Sequence, residues 1–116
     1  MTYSLFIDDE RAPNNFPPVG DKWVIVRTME EAVRYIDAAG FPQFITFDHD
    51  LGEDEPSGMD IAKWLIAQDQ RSNGKCLSDE FTFAVHSQNS PGTANIKGLL
   101  SNYLSCRKTS MISSTC

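Results

Sequence analysis

Four aspartates, two histidines and a serine–asparagine pair sit in short polar stretches, each directly behind an apolar run. Asp8, Asp9, Glu10 and Arg11 follow Tyr3–Ile7, and Arg27 and Thr28 follow Trp23–Val26. Asp48, His49 and Asp50 follow Phe44–Phe47, and His86, Ser87, Gln88 and Asn89 follow Phe81–Val85. Carboxylates gathered at one place repel one another unless a cation joins them. Asp8, Asp9 and Asp50 therefore suggest a hard, oxygen-liking ion, Mg²⁺ or Mn²⁺, with Asp48 as a further candidate. Histidine titrates near neutrality, so His49 and His86 suit the base and acid roles on a phosphoester. Asp50 has a second possible role, as a covalent nucleophile. Ser87, Asn89 and Arg11 offer hydrogen bonds and charge to phosphate oxygens, with Thr28 as an additional candidate. The same residue types also serve structure: aspartate and asparagine cap helices, and histidine packs through its ring.

Whether these residues meet depends on the elements between them. Tyr3–Ile7, Trp23–Val26, Phe44–Phe47 and Phe81–Val85 are short apolar runs bounded by turn formers, the signature of buried strands. Thr28-Met-Glu-Glu31 matches a capping box, and Met29, Val33 and Ile36 follow at helical spacing up to Gly40. Ile61, Trp64, Leu65 and Gln68 mark a second helix over 59–70. Ser90-Pro91 resembles an N-cap and first helical position, before the stripe of Ile96, Leu99, Leu100, Tyr103 and Leu104. Three prolines between Glu10 and Lys22 make that stretch a loop. Strands alternating with helices predict an α/β, doubly wound parallel sheet of four strands. Right-handed crossovers then put all four polar stretches along one edge, where such sheets bind ligands.

The chain has 116 residues, 41% of them hydrophobic, which suits one domain with a real core. Ten Lys plus Arg against sixteen Asp plus Glu give a net charge of −6. That balance argues against a broad grip on duplex nucleic acid, which relies on basic side chains. No run approaches the length of a membrane span, and the first residues do not form a secretory signal. Cys76, Cys106 and Cys116 lack metal-ligand spacing and are expected as reduced thiols. The expected compartment is the cytoplasm of a bacterium or of a phage-infected host. No Gly-x-Gly-x-x-Gly, Walker-type or Gly-x-Ser-x-Gly motif is present. The expected organisation is a domain over 1–106 with a disordered tail over 107–116.

Leu5-Phe-Ile-Asp-Asp-Glu10 resembles the first strand and acidic pair of response-regulator receiver domains, and Asp50 through Gly58 resembles their phospho-acceptor loop. This resemblance implies a receiver-like (flavodoxin-like) fold, with Asp8 and Asp9 as the Mg²⁺ pair and Asp50 as acceptor. Receivers carry Thr or Ser where His86 stands, and a fifth strand ending in lysine, which is not expected here. A closer resemblance is to a divergent branch, the cyclic-phosphate processing receiver-like family. It rests on Phe6-Ile-Asp-Asp-Glu-Arg-Ala-Pro13, Arg27-Thr28, Phe47-Asp-His-Asp-Leu-Gly52, Ser57-Gly58-Met-Asp60, Ala62-Lys-Trp-Leu65 and Val85-His-Ser-Gln-Asn89. It implies a metal-assisted phosphoesterase acting on the cyclic phosphate of a nucleotide or RNA end. The alternatives are a non-enzymatic receiver module phosphorylated on Asp50, and a cyclic-nucleotide-binding protein without turnover. None of these readings calls for a protein partner or a membrane.

Overall fold

The computed structural model describes residues 2–13, 17–18, 20–87 and 89–110. Four parallel strands, β1 (Ser4–Ile7), β2 (Trp23–Val26), β3 (Phe44–Phe47) and β4 (Thr82–Val85), form one sheet in the order β2-β1-β3-β4. The helices are α1 (Met29–Ala39), α2 (Gly58–Arg71) and α3 (Ser90–Ser110). This is the expected receiver-like α/β fold. Among the described residues there is no fifth strand, and no helix is long and apolar enough to cross a membrane.

Strand order and pleat together sort the side chains. The β2-to-β3 and β3-to-β4 connections step the same way across the sheet, so right-handed crossovers place α1 and α2 on one face. The β1-to-β2 connection steps the other way. Alternate strand residues Leu5, Ile7, Val26, Ile45 and Phe47 point to the helix face and join Ala32, Ile36, Ile61, Leu65, Ile96 and Leu100 in one buried core. The opposite face carries Phe6, Trp23 and Phe44. Trp23 meets Phe6 edge-on at 5.8 Å and Phe44 at 6.1 Å. Ser4, paired with both Trp23 and Phe44, is small enough to let those two rings meet across it.

The helix starts are set by side chains. Thr28 caps α1, its hydroxyl accepting from the Glu31 N–H, while the Glu31 carboxylate accepts from the Arg27 N–H. Ser57 and Asp60 complete a capping box at α2. At α3 the cap differs from expectation. Asn89, not Ser90, accepts the Gly92 N–H through Oδ1 at 2.9 Å, which moves the start one residue toward the sheet.

The far end of α3 also differs. The helix continues to Ser110, past the expected boundary at 106, because Arg107 is anchored. Its guanidinium donates to Asp69 at 3.1 Å and to the Leu77 carbonyl at 2.7 Å. The remainder of the expected tail, 111–116, lies outside the described residues. Cys76 is a free thiol, as expected, and Cys116 lies outside the described residues.

Asp69 is wholly buried. It also accepts the Cys76 and Leu77 N–H groups at 3.1 and 2.9 Å and the Tyr103 hydroxyl at 2.6 Å. Burial pushes its carboxyl up, but the Leu77 N–H, the Tyr103 hydroxyl and Arg107 outweigh that and hold it below the ordinary carboxylate value. Asp69→Ala leaves Arg107 and Tyr103 without their carboxylate, and removing one partner of a buried pair typically costs about 3–5 kcal/mol. Urea unfolding at pH 7 is expected to read a loss of about 3 kcal/mol, the lower end because Arg107 is partly exposed. Because the folded-state value is depressed, the contribution is whole above the unfolded carboxylate value near 4 and disappears as pH falls through the folded value. The parent is therefore expected to lose more stability than the variant on acidification. Parallel acid curves would remove Asp69 from the account.

Candidate functional site

The four strands end in step, and the site grows from that register. The last ladder pairs join Ile7 to Val26, Ile7 to Phe47 and Phe47 to Val85. Main-chain bonds carry the ladder one residue further: Asp8 N–H to Val26 at 3.2 Å, Asp48 N–H to Ile7 at 2.9 Å and His86 N–H to Phe47 at 2.9 Å. Arg27, Asp8, Asp48 and His86 thus form a row across the carboxyl edge of the sheet. Their parity along the strands puts them on the face of Phe6 and Thr46, away from the helices.

Asp8 is the centre of the row and is almost fully buried. Its Oδ1 accepts the Glu10 and Arg11 N–H groups, both at 2.9 Å. Its Oδ2 accepts Arg11 Nε at 2.8 Å and His86 Nε2 at 3.0 Å. Burial pushes the carboxyl up, but the Arg11 and Glu10 N–H groups, His86 and the Arg11 charge outweigh it and hold Asp8 below the ordinary value. With Asp8 ionised, His86 Nε2 carries the proton. In the neutral ring, Nδ1 then accepts from the Thr46 hydroxyl, 2.8 Å away. The ring lies flat on Phe6, with centroids 4.6 Å apart. Arg27 holds the loop by donating to the Asp8 and Arg11 carbonyls.

A second aspartate–histidine pair stands beside the first. His49 Nδ1 is 3.0 Å from Asp50 Oδ1, and Asn89 Nδ2 donates to Asp50 Oδ2 at 3.2 Å. These hydrogen bonds, from His49 first and then Asn89, hold Asp50 below the ordinary carboxylate value. Asn89 is therefore used at both ends of its amide, capping α3 with one and holding Asp50 with the other. Among the described residues His49 Nε2 has no hydrogen-bond partner. The ring rests on Gly92, where a Cβ would lie 2.5 Å from Cγ and Cδ2. Gly58 is constrained likewise, since a Cβ there would overlap the Asp48 carbonyl oxygen.

Between the two pairs lies a cavity of about 300 Å³, lined by Asp8, Asp9, Glu10, Arg11, Asp48, Asp50, Ser87 and Asn89. Ligand atoms of Asp8, Asp9 and Asp48 lie within 4.8 Å of one another. The trio differs from the expected Asp8, Asp9 and Asp50. Asp48 is Asp8's neighbour in register, whereas Asp50 is two residues further on and is engaged by His49 and Asn89. The histidines also differ from expectation in placement: neither lines the cavity, and each lies one hydrogen bond behind a carboxylate that does. Ser87, Asn89 and Arg11 do line it, as anticipated. Thr28 does not; its hydroxyl caps α1. Gln88 lies outside the described residues.

Three contributors were not anticipated as site residues. Arg27 was legible only as the residue after β2. Thr46 is a polar residue in an otherwise apolar strand, a signal that a buried partner awaits it. Gly92 carries no local signal, because its role depends on a ring brought from another strand end.

A parallel α/β sheet with an acidic cavity at its carboxyl edge defines a receiver-like domain. The family described as the cyclic-phosphate processing receiver domain matches residues 3–102, and the chain belongs to it. No curated protein and no solved structure matches the chain.

Gly92→Ala is expected to push the His49 ring away from Asp50 while the fold survives, since overpacking by one methyl costs about 1–3 kcal/mol. The readout is the His49 imidazole signals in a proton–nitrogen NMR spectrum. Unmoved signals would show that the glycine does not seat the ring.

Proposed function

We propose that this chain is a metal-assisted phosphoesterase that opens a cyclic phosphate on a nucleotide or RNA end. One observation carries the reading: a single cavity joins three close carboxylates to Arg11, Ser87 and Asn89. Carboxylates alone fit an ion, whereas carboxylates beside cationic and neutral donors fit an ion together with a phosphate. The family description supports a cyclic phosphate as substrate. The net charge of −6 favours a small or end-held ligand over a duplex.

The donor set suits the ion. Asp8, Asp9 and Asp48 offer only carboxylate oxygens, the ligands of Mg²⁺ or Mn²⁺. When bound, such an ion supplies Lewis-acid polarisation of a phosphoryl oxygen and lowers the pKa of a water. Arg11, Ser87 and Asn89 bind the phosphoryl oxygens. Asp50, which lines the cavity, removes a proton from the attacking water as its oxygen bonds to phosphorus, while His49 and Asn89 position its carboxylate. The bond from phosphorus to one ribose oxygen breaks, and the same proton returns to that oxygen, leaving a phosphomonoester. His86 has both ring nitrogens engaged and acts as a positioning residue for Asp8.

The test is a panel of cyclic nucleotides and cyclic-phosphate RNA ends, incubated with Mg²⁺ or Mn²⁺ and read by mass. The expected product is heavier by one water and disappears with a chelator. Asp50→Asn is expected to lower kcat by about 10²–10⁴-fold, the usual contribution of a positioned acid–base group. Every ligand returned unchanged would overturn the activity and select binding without turnover. The exposed Asp50 carboxylate supports a second reading, phosphoryl acceptance from acetyl phosphate. Labelling that is lost in Asp50→Asn would select it.

A further inference from the structure

We infer that Arg11 is an exchangeable counter-ion: it neutralises Asp8 and Asp48 in the metal-free protein, is released by a divalent cation, and is then presented to the phosphoryl group. The inference rests on the reading that the carboxylates hold such a cation, and it adds an order of binding, cation before phosphate.

The argument begins with lone pairs. A carboxylate has about four acceptor sites, and Asp8 already accepts four donors. One donor must leave before Asp8 can ligate an ion. The Glu10 and Arg11 N–H groups belong to a turn that Arg27 clamps through the Asp8 and Arg11 carbonyls. His86 is held by Thr46 on one side and by the Phe6 ring beneath it. The Arg11 side chain is 47% exposed and is the donor most free to move.

Arg11 also stands where the competition is direct. Its Nε is 2.8 Å from Asp8 Oδ2 and its Nη2 is 3.7 Å from Asp48 Oδ2. The guanidinium thus spans two of the three carboxylates expected to hold the ion, and both cannot use the same oxygens. Removal of the Arg11 side chain takes a cation away from Asp8 and Asp48, which raises the energy of the metal-free state. A released Arg11 remains tethered at the cavity that Ser87 and Asn89 also line. There its planar fork suits two phosphoryl oxygens at once.

The test is calorimetric and needs no turnover. MnCl₂ or MgCl₂ alone is titrated into the parent, Arg11→Ala and Arg11→Gln, and inorganic phosphate is then titrated with and without the cation. The parent is expected to bind phosphate more tightly once the cation is present. Both variants are expected to bind the cation about tenfold more tightly, within the usual range of site-to-site coupling. They are also expected to bind phosphate more weakly and with little dependence on the cation. Circular dichroism confirms that each variant is folded, and the two variants guard against failure of one. Cation affinity that is unchanged or weakened by loss of Arg11 overturns the exchange, as does a parent that binds no cation. Intact exchange without cleavage of any cyclic phosphate sinks the proposed activity alone. Cleavage with unchanged cation affinity in the variants sinks the exchange alone.

Discussion

Burying an ionised carboxylate is costly unless its oxygens are satisfied, and Asp8 is ionised at the centre of the sheet edge. Its four donors come from the turn behind β1, from the Arg11 side chain and from His86 at the end of β4. This one requirement ties the first strand to the last. It selects the His86 tautomer, draws the Thr46 hydroxyl onto the other ring nitrogen and closes the loop against Arg27. Asp8 therefore sits in a network in which its own acceptor sites are already taken. Chemistry there requires exchanging partners, with little rearrangement of the backbone.

The two aspartate–histidine pairs differ in kind. His86 is sandwiched between Phe6 and its two polar neighbours and serves to hold Asp8. His49 lies against Gly92 and bonds to an exposed carboxylate, so its ring keeps a nitrogen for other work. Burial separates the roles: Asp8 is almost inaccessible, while the Asp50 side chain is 68% exposed.

The alternation of strands and helices, the parallel sheet and the gathering of polar residues at one edge were all legible in the sequence. Each rests on local patterns, namely short apolar runs, helical spacing and the Thr28 cap. The composition of the acidic trio was not legible, because Asp48 and Asp50 sit two apart in a polar stretch and only the register across β1 and β3 decides between them. The cap at α3 was misplaced for a similar reason. Ser90-Pro91 is a good local signal, but Asn89 is held by Asp50 from another strand end and reaches Gly92 first. The stability of α3 beyond residue 106 depends on Asp69, which lies far earlier in the chain.

The stepwise register has a consequence for how such a chain can change length. Side chains alternate faces along a strand, so inserting or deleting one residue inside Ser4–Ile7 would turn Asp8 toward the helices and dismantle the network at once. Extra residues in the Glu10–Lys22 connection, or between α2 and β4, leave the row of Arg27, Asp8, Asp48 and His86 where it is. A change in length is thus tolerated in the connections, whereas the strands must keep their count.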